Sequence, residues 1–335
     1  MTSLWCNRPY QPGDEHGILA LRGDTFGDRD PVRTKMSTWR WQFKDNPAGR
    51  PFIRLVEAES RIVAQYAVIP MRLLVEGVQC VTAFSCDTMT HPAFQRRGLF
   101  SLLAGAVYRD MEEEAGIRGV YGFPNRVSMP GFTGKLGWSL IAGLPVWAAP
   151  ARPWGLSGLF PLEFTAEGKA LHLSPLSSFG PAFDGLWESR RPEKGVTAVR
   201  DARFLSWRYT ACPDFGYRAF CVGEPNDPAG YLVMRPMTIK GIPFLILVDL
   251  FPLSLASPSL VRLLGRMAAH ERAVAVLSLF PPAFRARARK IGFYPVPRRF
   301  SPKTFNLAGR FSSACPPALR QAAAWSVTFG DTDIV

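Results

Sequence analysis

Apolar and β-branched residues crowd Val81 to Thr90, give way to a polar turn, and return at helical spacing from Leu99 to about Glu114. The pattern predicts a strand, a sharp turn and an amphipathic helix. Upstream, an aromatic-rich helix is predicted over about Thr34–Phe43, followed by antiparallel strands at Ile53–Ala58, Ile62–Pro70 and Met71–Val75. Gly, Pro, Asn and Asp bound these runs. Downstream come a buried strand, Gly119–Phe123, and a short helix ending near Gly137.

A second series follows the same order. It has a helix at Asp201–Tyr209, strands at Tyr217–Val222, Gly230–Met234 and Thr238–Ile239, and a longer strand at Phe244–Leu250. A helix at Ser257–His270, a buried strand at Ala273–Phe280 and a short helix ending near Gly292 complete it. Individual residues match as well. Trp41-x-Phe43-x-x-x-Pro47 returns 166 positions later as Trp207-x-Tyr209-x-x-x-Pro213, and Pro70-Met71 returns as Pro236-Met237. Phe123-Pro124 and Lys135-x-Gly137-Trp138 return 157 and 155 positions later, as Phe280-Pro281 and Lys290-x-Gly292-Phe293. A steadily shrinking offset is what small deletions in a duplicated copy produce.

The turn in the first copy carries the chemistry. Gln95-Arg96-Arg97-Gly98 puts backbone N–H groups and two guanidiniums near one point. The helix starting at Leu99 adds its unpaired first N–H groups and positive dipole end, and Gly98 has no Cβ to hold an anion away. Such a turn binds phosphate. The segment resembles the acyl-CoA loop of the GNAT acyltransferases, Gln/Arg-x-x-Gly-x-Gly/Ala, with Phe100 where that family has a small residue. The element order of both copies is also the GNAT order, with Arg8 to Leu21 resembling the family's first strand and helix.

The resemblance implies an α/β fold: two GNAT-like folds in tandem, each a mostly antiparallel, splayed sheet flanked by helices. Residues 1–145 would be the GNAT domain with the loop, and 146–190 a linker and the start of the second copy. Residues 191–335 would be a degenerate GNAT-like domain. There, Leu253-Ser-Leu-Ala-Ser-Pro258 stands where the loop should be. It has no glycine or arginine, and Pro258 lacks a donor. The second copy is left to shape the acceptor site, brace the fold or form a homodimer.

The resemblance further implies acetyl-CoA or another acyl-CoA as co-substrate and a small-molecule or protein amine as acceptor. It places Thr88, Met89 and Thr90 along the pantetheine, and Gln95, Arg96, Arg97, Gly98, Leu99 and Phe100 around the pyrophosphate. Asn125 would bond the pantetheine arm or form a turn after Pro124. Asp87, the nearest carboxylate before the loop, is the candidate catalytic base. Asp249 occupies the corresponding place in the second copy and offers a structural reading for both. Where many GNAT enzymes have a tyrosine acid, this chain has Thr133. Tyr121, Tyr108 and water are the alternatives for protonating the thiolate, and His91 flanks the loop.

Composition narrows the field. Hydrophobic residues make up 47% of 335, ample for a packed core. Six scattered cysteines without Cys-x-x-Cys spacing and four histidines give no expected metal site. No apolar run is long enough for a transmembrane helix, and the first residues do not read as a signal peptide. A cytoplasmic protein is expected. The net charge of +13 fits CoA, nucleic acid or an anionic lipid or glycan. No zinc-finger, basic-heptad or RNA-binding aromatic motif accompanies it, which weakens the nucleic-acid reading. Two rivals stand beside the acyltransferase: a tRNA-dependent aminoacyl or peptidyl transferase on a double GNAT fold, and a binding protein with a decayed site.

Overall fold

The structure, a computed structural model, describes residues 5–27, 31–151, 162–297, 299–300 and 305–332. In chain order the elements are β1 (Trp5–Pro9), α1 (Glu15–Phe26), α2 (Met36–Phe43), β2 (Phe52–Ala58), β3 (Arg61–Val75), β4 (Val78–Thr90), α3 (Leu99–Ala115), β5 (Gly119–Gly122), α4 (Met129–Lys135), β6 (Ser139–Leu144) and β7 (Val146–Pro150). There follow β8 (Glu163–Ala166), β9 (Lys169–Leu176), α5 (Ala182–Arg190), β10 (Val196–Ala198), α6 (Ala202–Leu205), β11 (Arg218–Glu224), β12 (Asp227–Ile239) and β13 (Ile242–Phe251). The last are α7 (Pro258–His270), β14 (Ala275–Leu279), α8 (Arg285–Ile291), β15 (Tyr294–Pro295) and β16 (Phe305–Phe311).

Two compact units form, and neither is one unbroken block of sequence. The first gathers Met1–Leu73, Gln79–Ala142 and Asn306–Arg320; the second gathers Leu74–Val78, Gly143–Phe305 and Gln321–Val335. The first sheet runs β1-β2-β3-β4-β5-β16-β6 and the second β8-β9-β11-β12-β13-β14-β7-β15. Position by position, β9 to β15 of the second sheet repeat β1 to β6 of the first. In each sheet the slot before the last strand is filled from elsewhere in the chain. β16 lies beside β5 and β6 in the first sheet, and β7 lies between β14 and β15 in the second.

Each core follows from periodicity. In α3, Leu99, Leu103, Val107 and Met111 recur every fourth residue and are buried against the first sheet with Val56, Tyr66, Ala83 and Val120. The helix stops at Gly116, left-handed at φ 64°, whose N–H bonds the carbonyls of Glu112 and Met111. In α7, Leu260, Val261, Leu264 and Ala268 cover the second sheet in the same way.

Three expectations are corrected. Ile62–Pro70 and Met71–Val75 are one strand, β3, and Gly230–Met234 and Thr238–Ile239 are likewise one strand, β12. A proline removes one ladder donor without ending the strand. The helix expected over Asp201–Tyr209 is α6 followed by a π-turn at Ser206–Thr210. The apolar and β-branched residues of the tail, Trp325 to Asp333, predict a returning final strand, but the tail contributes a single bridge to Val196 and a 3₁₀ turn at Phe329–Asp331; Asp333 lies outside the described residues. The returning strand is β16.

Candidate functional site

The site begins where two strands part. β4 and β5 are parallel, pairing at Ala83–Val120 and Phe84–Tyr121, and the ladder stops there although β4 runs on to Thr90. Gly122 stands at the fork, where a Cβ would lie 3.1 Å from the Ser85 carbonyl oxygen. Beyond it, among the described residues, no strand pairs with the β5-facing edge of β4. Met89 buries its side chain in the core, so it offers only its backbone, while Thr88 and Thr90 are half-buried.

Asp87 interrupts the strand with a left-handed φ of 49°, a conformation that aspartate tolerates better than most residues. Gln65 Nε2 donates to the Asp87 carbonyl at 2.8 Å. The carboxylate, 9% exposed, accepts from Arg22 Nη1 at 2.6 Å and pairs with Arg33 Nη1 at 3.5 Å. Two guanidiniums therefore hold this carboxylate. His91 is also engaged: its Nδ1 accepts from Ala93 N at 3.2 Å, holding the 3₁₀ turn Pro92–Phe94.

The loop follows. Arg96 (φ 62°) and Gly98 (φ 78°) are left-handed and Arg97 between them is not, an alternation that turns successive N–H groups toward one side as an anion-binding nest. Among the described residues no carbonyl accepts from the N–H groups of residues 96–101. The space in front of Gly98 is empty to 4 Å. Gln95 Nε2 donates to the Thr90 carbonyl at 3.3 Å and steadies the loop's start. Arg97 folds back, donating to the Ala93 carbonyl at 3.1 Å and lying 4.9 Å over the Phe94 ring. Arg96 is exposed and meets no carboxylate among the described residues. Leu99 anchors the helix start in the core. Phe100 turns its ring toward α4, 5.1 Å edge-on to Phe132 and 5.9 Å from Tyr66, so its bulk lies inside the unit.

Asn125 forms the turn into α4. Its Oδ1 accepts from Val127 N and Ser128 N, both at 2.9 Å, and its carbonyl accepts from Met129 N. The Nδ2 hydrogens remain for a ligand. Thr133 is exposed and donates to the Met129 carbonyl at 3.0 Å, filling a helix role.

Sequence reasoning missed a hydroxyl chain behind the fork. Ser85 Oγ donates to Tyr66 Oη at 3.1 Å, Tyr66 Oη meets Tyr108 Oη at 2.8 Å, and Trp138 Nε1 donates to Tyr108 Oη at 2.8 Å. Burial raises the pKa of Tyr66 well above the ordinary value and pushes Tyr108 up to about 12.

The second unit has the same fork, β13 pairing with β14 at Leu245–Val276 and Ile246–Leu277. Its Asp249, 1% exposed, accepts from Tyr209 Oη at 2.8 Å, Tyr231 Oη at 2.9 Å and Arg200 Nε at 3.1 Å. Burial opposes the Asp249 charge, but Arg200 and the hydroxyl donors outweigh it and hold the pKa low. Burial, together with the neighbouring Asp249 charge, pushes Asp331 up. The turn Thr328–Asp331 fills the space: Thr328 Oγ1 donates to Asp249 Oδ1 at 3.1 Å, and a Cβ on Gly330 would collide with Tyr209 Oη. At the start of α7, Ser257 Oγ accepts from Leu260 N at 3.1 Å and donates to the Thr165 carbonyl at 2.7 Å.

Comparison with known proteins agrees with this geometry. Residues 7–141 match the family model described as an acetyltransferase (GNAT) domain. The fold of nearly the whole chain is similar to a GCN5-related N-acetyltransferase from Anabaena variabilis (14% identity, 93% of this chain and 74% of that one, TM-score 0.64). It is also similar to a GCN5-related N-acetyltransferase from Kribbella flavida (15% identity, 94% and 72%, TM-score 0.61). Saccharomyces cerevisiae N-myristoyltransferase with bound myristoyl-CoA shares the fold too (12% identity, 97% and 84%, TM-score 0.62). No curated protein sequence matches this one. Among the described residues no cluster of potential metal ligands occurs, and no helix is long and apolar enough to cross a membrane.

Proposed function

We propose that the chain is an acyl-CoA-dependent N-acyltransferase that moves an acyl group, foremost acetyl, to a primary amine by direct attack in a ternary complex. CoA binding is assigned to residues 1–145. The observation that carries this reading is the row of uncommitted N–H groups at 96–101 at the uncapped N-terminus of α3, with the exposed Arg96 in the same loop. A nucleotide diphosphate supplies the oxygens that such a nest takes. The free edge of β4 at Thr88–Thr90 and the Asn125 amide fit a pantetheine amide chain.

Positioning supplies most of the rate. Deprotonating a lysine-like amine at pH 7 costs about 4.6 kcal/mol, whereas holding two reactants in line contributes roughly 7–11 kcal/mol. Asp87 is poorly suited to be the base, because Arg22 and Arg33 already hold its carboxylate. We assign it to fixing the left-handed backbone of β4 at its own position, the place that Asp249 holds in β13.

The test is thermal unfolding with acetyl-CoA. Binding at a hundredfold excess over Kd adds about 2.7 kcal/mol of stability. Wild type is expected to shift and Gly98→Asp to show no shift, because the new carboxylate blocks and repels the phosphates. An equal shift in both removes the loop from the reading. Salt-sensitive tRNA binding without any acetyl-CoA shift points instead to the aminoacyl-transferase alternative.

A further inference from the structure

The hydroxyl chain behind the fork holds one hydrogen more than it can use internally. Trp138 Nε1 can only donate, so it occupies a lone pair of Tyr108 Oη. Ser85, Tyr66 and Tyr108 bring three hydroxyl hydrogens to the two links that join them. One hydrogen is therefore surplus. Tyr66 is fully buried, and leaving its hydrogen without an acceptor there would be costly. Ser85 is half-buried at the fork, beside Gly122, and is the least enclosed of the three hydroxyl residues.

The two phenols can exchange donor and acceptor roles, and this gives the chain two states. In one, Ser85 donates inward to Tyr66 and presents its lone pairs to the fork, a state of higher energy because one buried phenol hydrogen is then left without an acceptor. In the other, donation runs from Trp138 through Tyr108 and Tyr66 to Ser85, whose own hydrogen then points into the fork. A hydroxyl that alternates between accepting and donating is what an acyl transfer between nitrogen and sulfur needs.

Resting on the acyltransferase reading above, we propose that Ser85 is the proton shuttle of the reaction and that Tyr66 and Tyr108 are its positioning residues. The amine nitrogen attacks the thioester carbon and the C–N bond forms. Ser85 Oγ takes the N–H proton, directly or through one water, and passes its own proton to the sulfur as the C–S bond breaks. Ser85 ends the cycle unchanged, the products are an amide and a thiol, and no phenol becomes charged. The buried phenols are suited to this because burial keeps both protonated. The shuttle also accounts for a site with Thr133 where a tyrosine acid is expected.

The experiment measures thiol release from acetyl-CoA in the full-length protein, with glucosamine, lysine and a lysine-containing peptide as acceptors. Ser85→Ala is expected to lower kcat by about 10²-fold with the acetyl-CoA thermal shift intact. Ser85→Thr, which restores the hydroxyl, is expected to stay within about threefold of wild type, the loss being confined to groups that move protons. Tyr66→Phe should reduce kcat and the solvent isotope effect on kcat while leaving the KM for acetyl-CoA unchanged. A Ser85→Ala variant that keeps the wild-type kcat, or one that loses the thermal shift together with kcat, overturns the shuttle. A wild-type protein with neither thermal shift nor thiol release overturns the acyltransferase reading itself, a distinct result.

Discussion

The starts of α3 and α7 hold the same place in two copies of one fold, yet they dispose of their N–H groups in opposite ways. At α3 the preceding residues alternate in hand and the N–H groups of 96–101 stay uncommitted. At α7, Ser257 caps the helix with its own hydroxyl and Pro258 brings no donor. The two strand aspartates differ in the same sense. Asp87 is held by two arginines beside an open β4 edge, while Asp249 is saturated by Arg200, two tyrosines and a threonine from a turn that fills the fork. A duplicated binding device becomes structural when its donors and its space are both claimed by the protein itself.

The largest expected effect lies in the filled fork. Asp249→Ala leaves Arg200 buried with only Asp331 to balance it and is expected to cost about 3–5 kcal/mol in urea unfolding. A change below about 1 kcal/mol would mean the saturated aspartate does not brace the second unit. Next, Gly98→Asp should remove the roughly 2.7 kcal/mol that acetyl-CoA adds at a hundredfold excess, whereas Ser257→Asp should leave that shift intact. If Ser257→Asp also abolishes it, the second copy binds nucleotide and the contrast is broken. Ser257→Ala should destabilise by about 1 kcal/mol through the lost cap, with acetyl-CoA affinity unchanged. The smallest effect is expected at Arg96→Ala, a loss of about 1 kcal/mol in acetyl-CoA binding that shrinks as salt rises. Arg287→Ala, whose guanidinium donates to the Ser254 and Ala256 carbonyls, should not change that affinity.

The strand, loop and helix of the first copy were legible because a change of period brackets a turn rich in Arg and Gly, and α3 falls where the pattern put it. The duplication was legible because aromatic, proline and glycine positions recur in order. Other features left no local trace. Ser85 and Tyr66 meet across two strands, 19 residues apart, and no local pattern marks which residues of neighbouring strands stand side by side. The strand Phe305–Phe311 is short, and its partner Gly119–Gly122 is far away in sequence. The tail from Trp325 carries β-type residues, but Thr328 and Asp331 cap one another, and local side-chain bonding overrides strand propensity.

The exchanged strands carry a consequence for how the protein is made. The slot between β5 and β6 stays empty until residues 305–311 leave the ribosome, so the earlier sheet waits through most of translation with bare peptide edges. Cutting the gene near residue 145 would preserve that vacancy permanently. The excised half would be prone to stick to other chains rather than behave as a miniature enzyme.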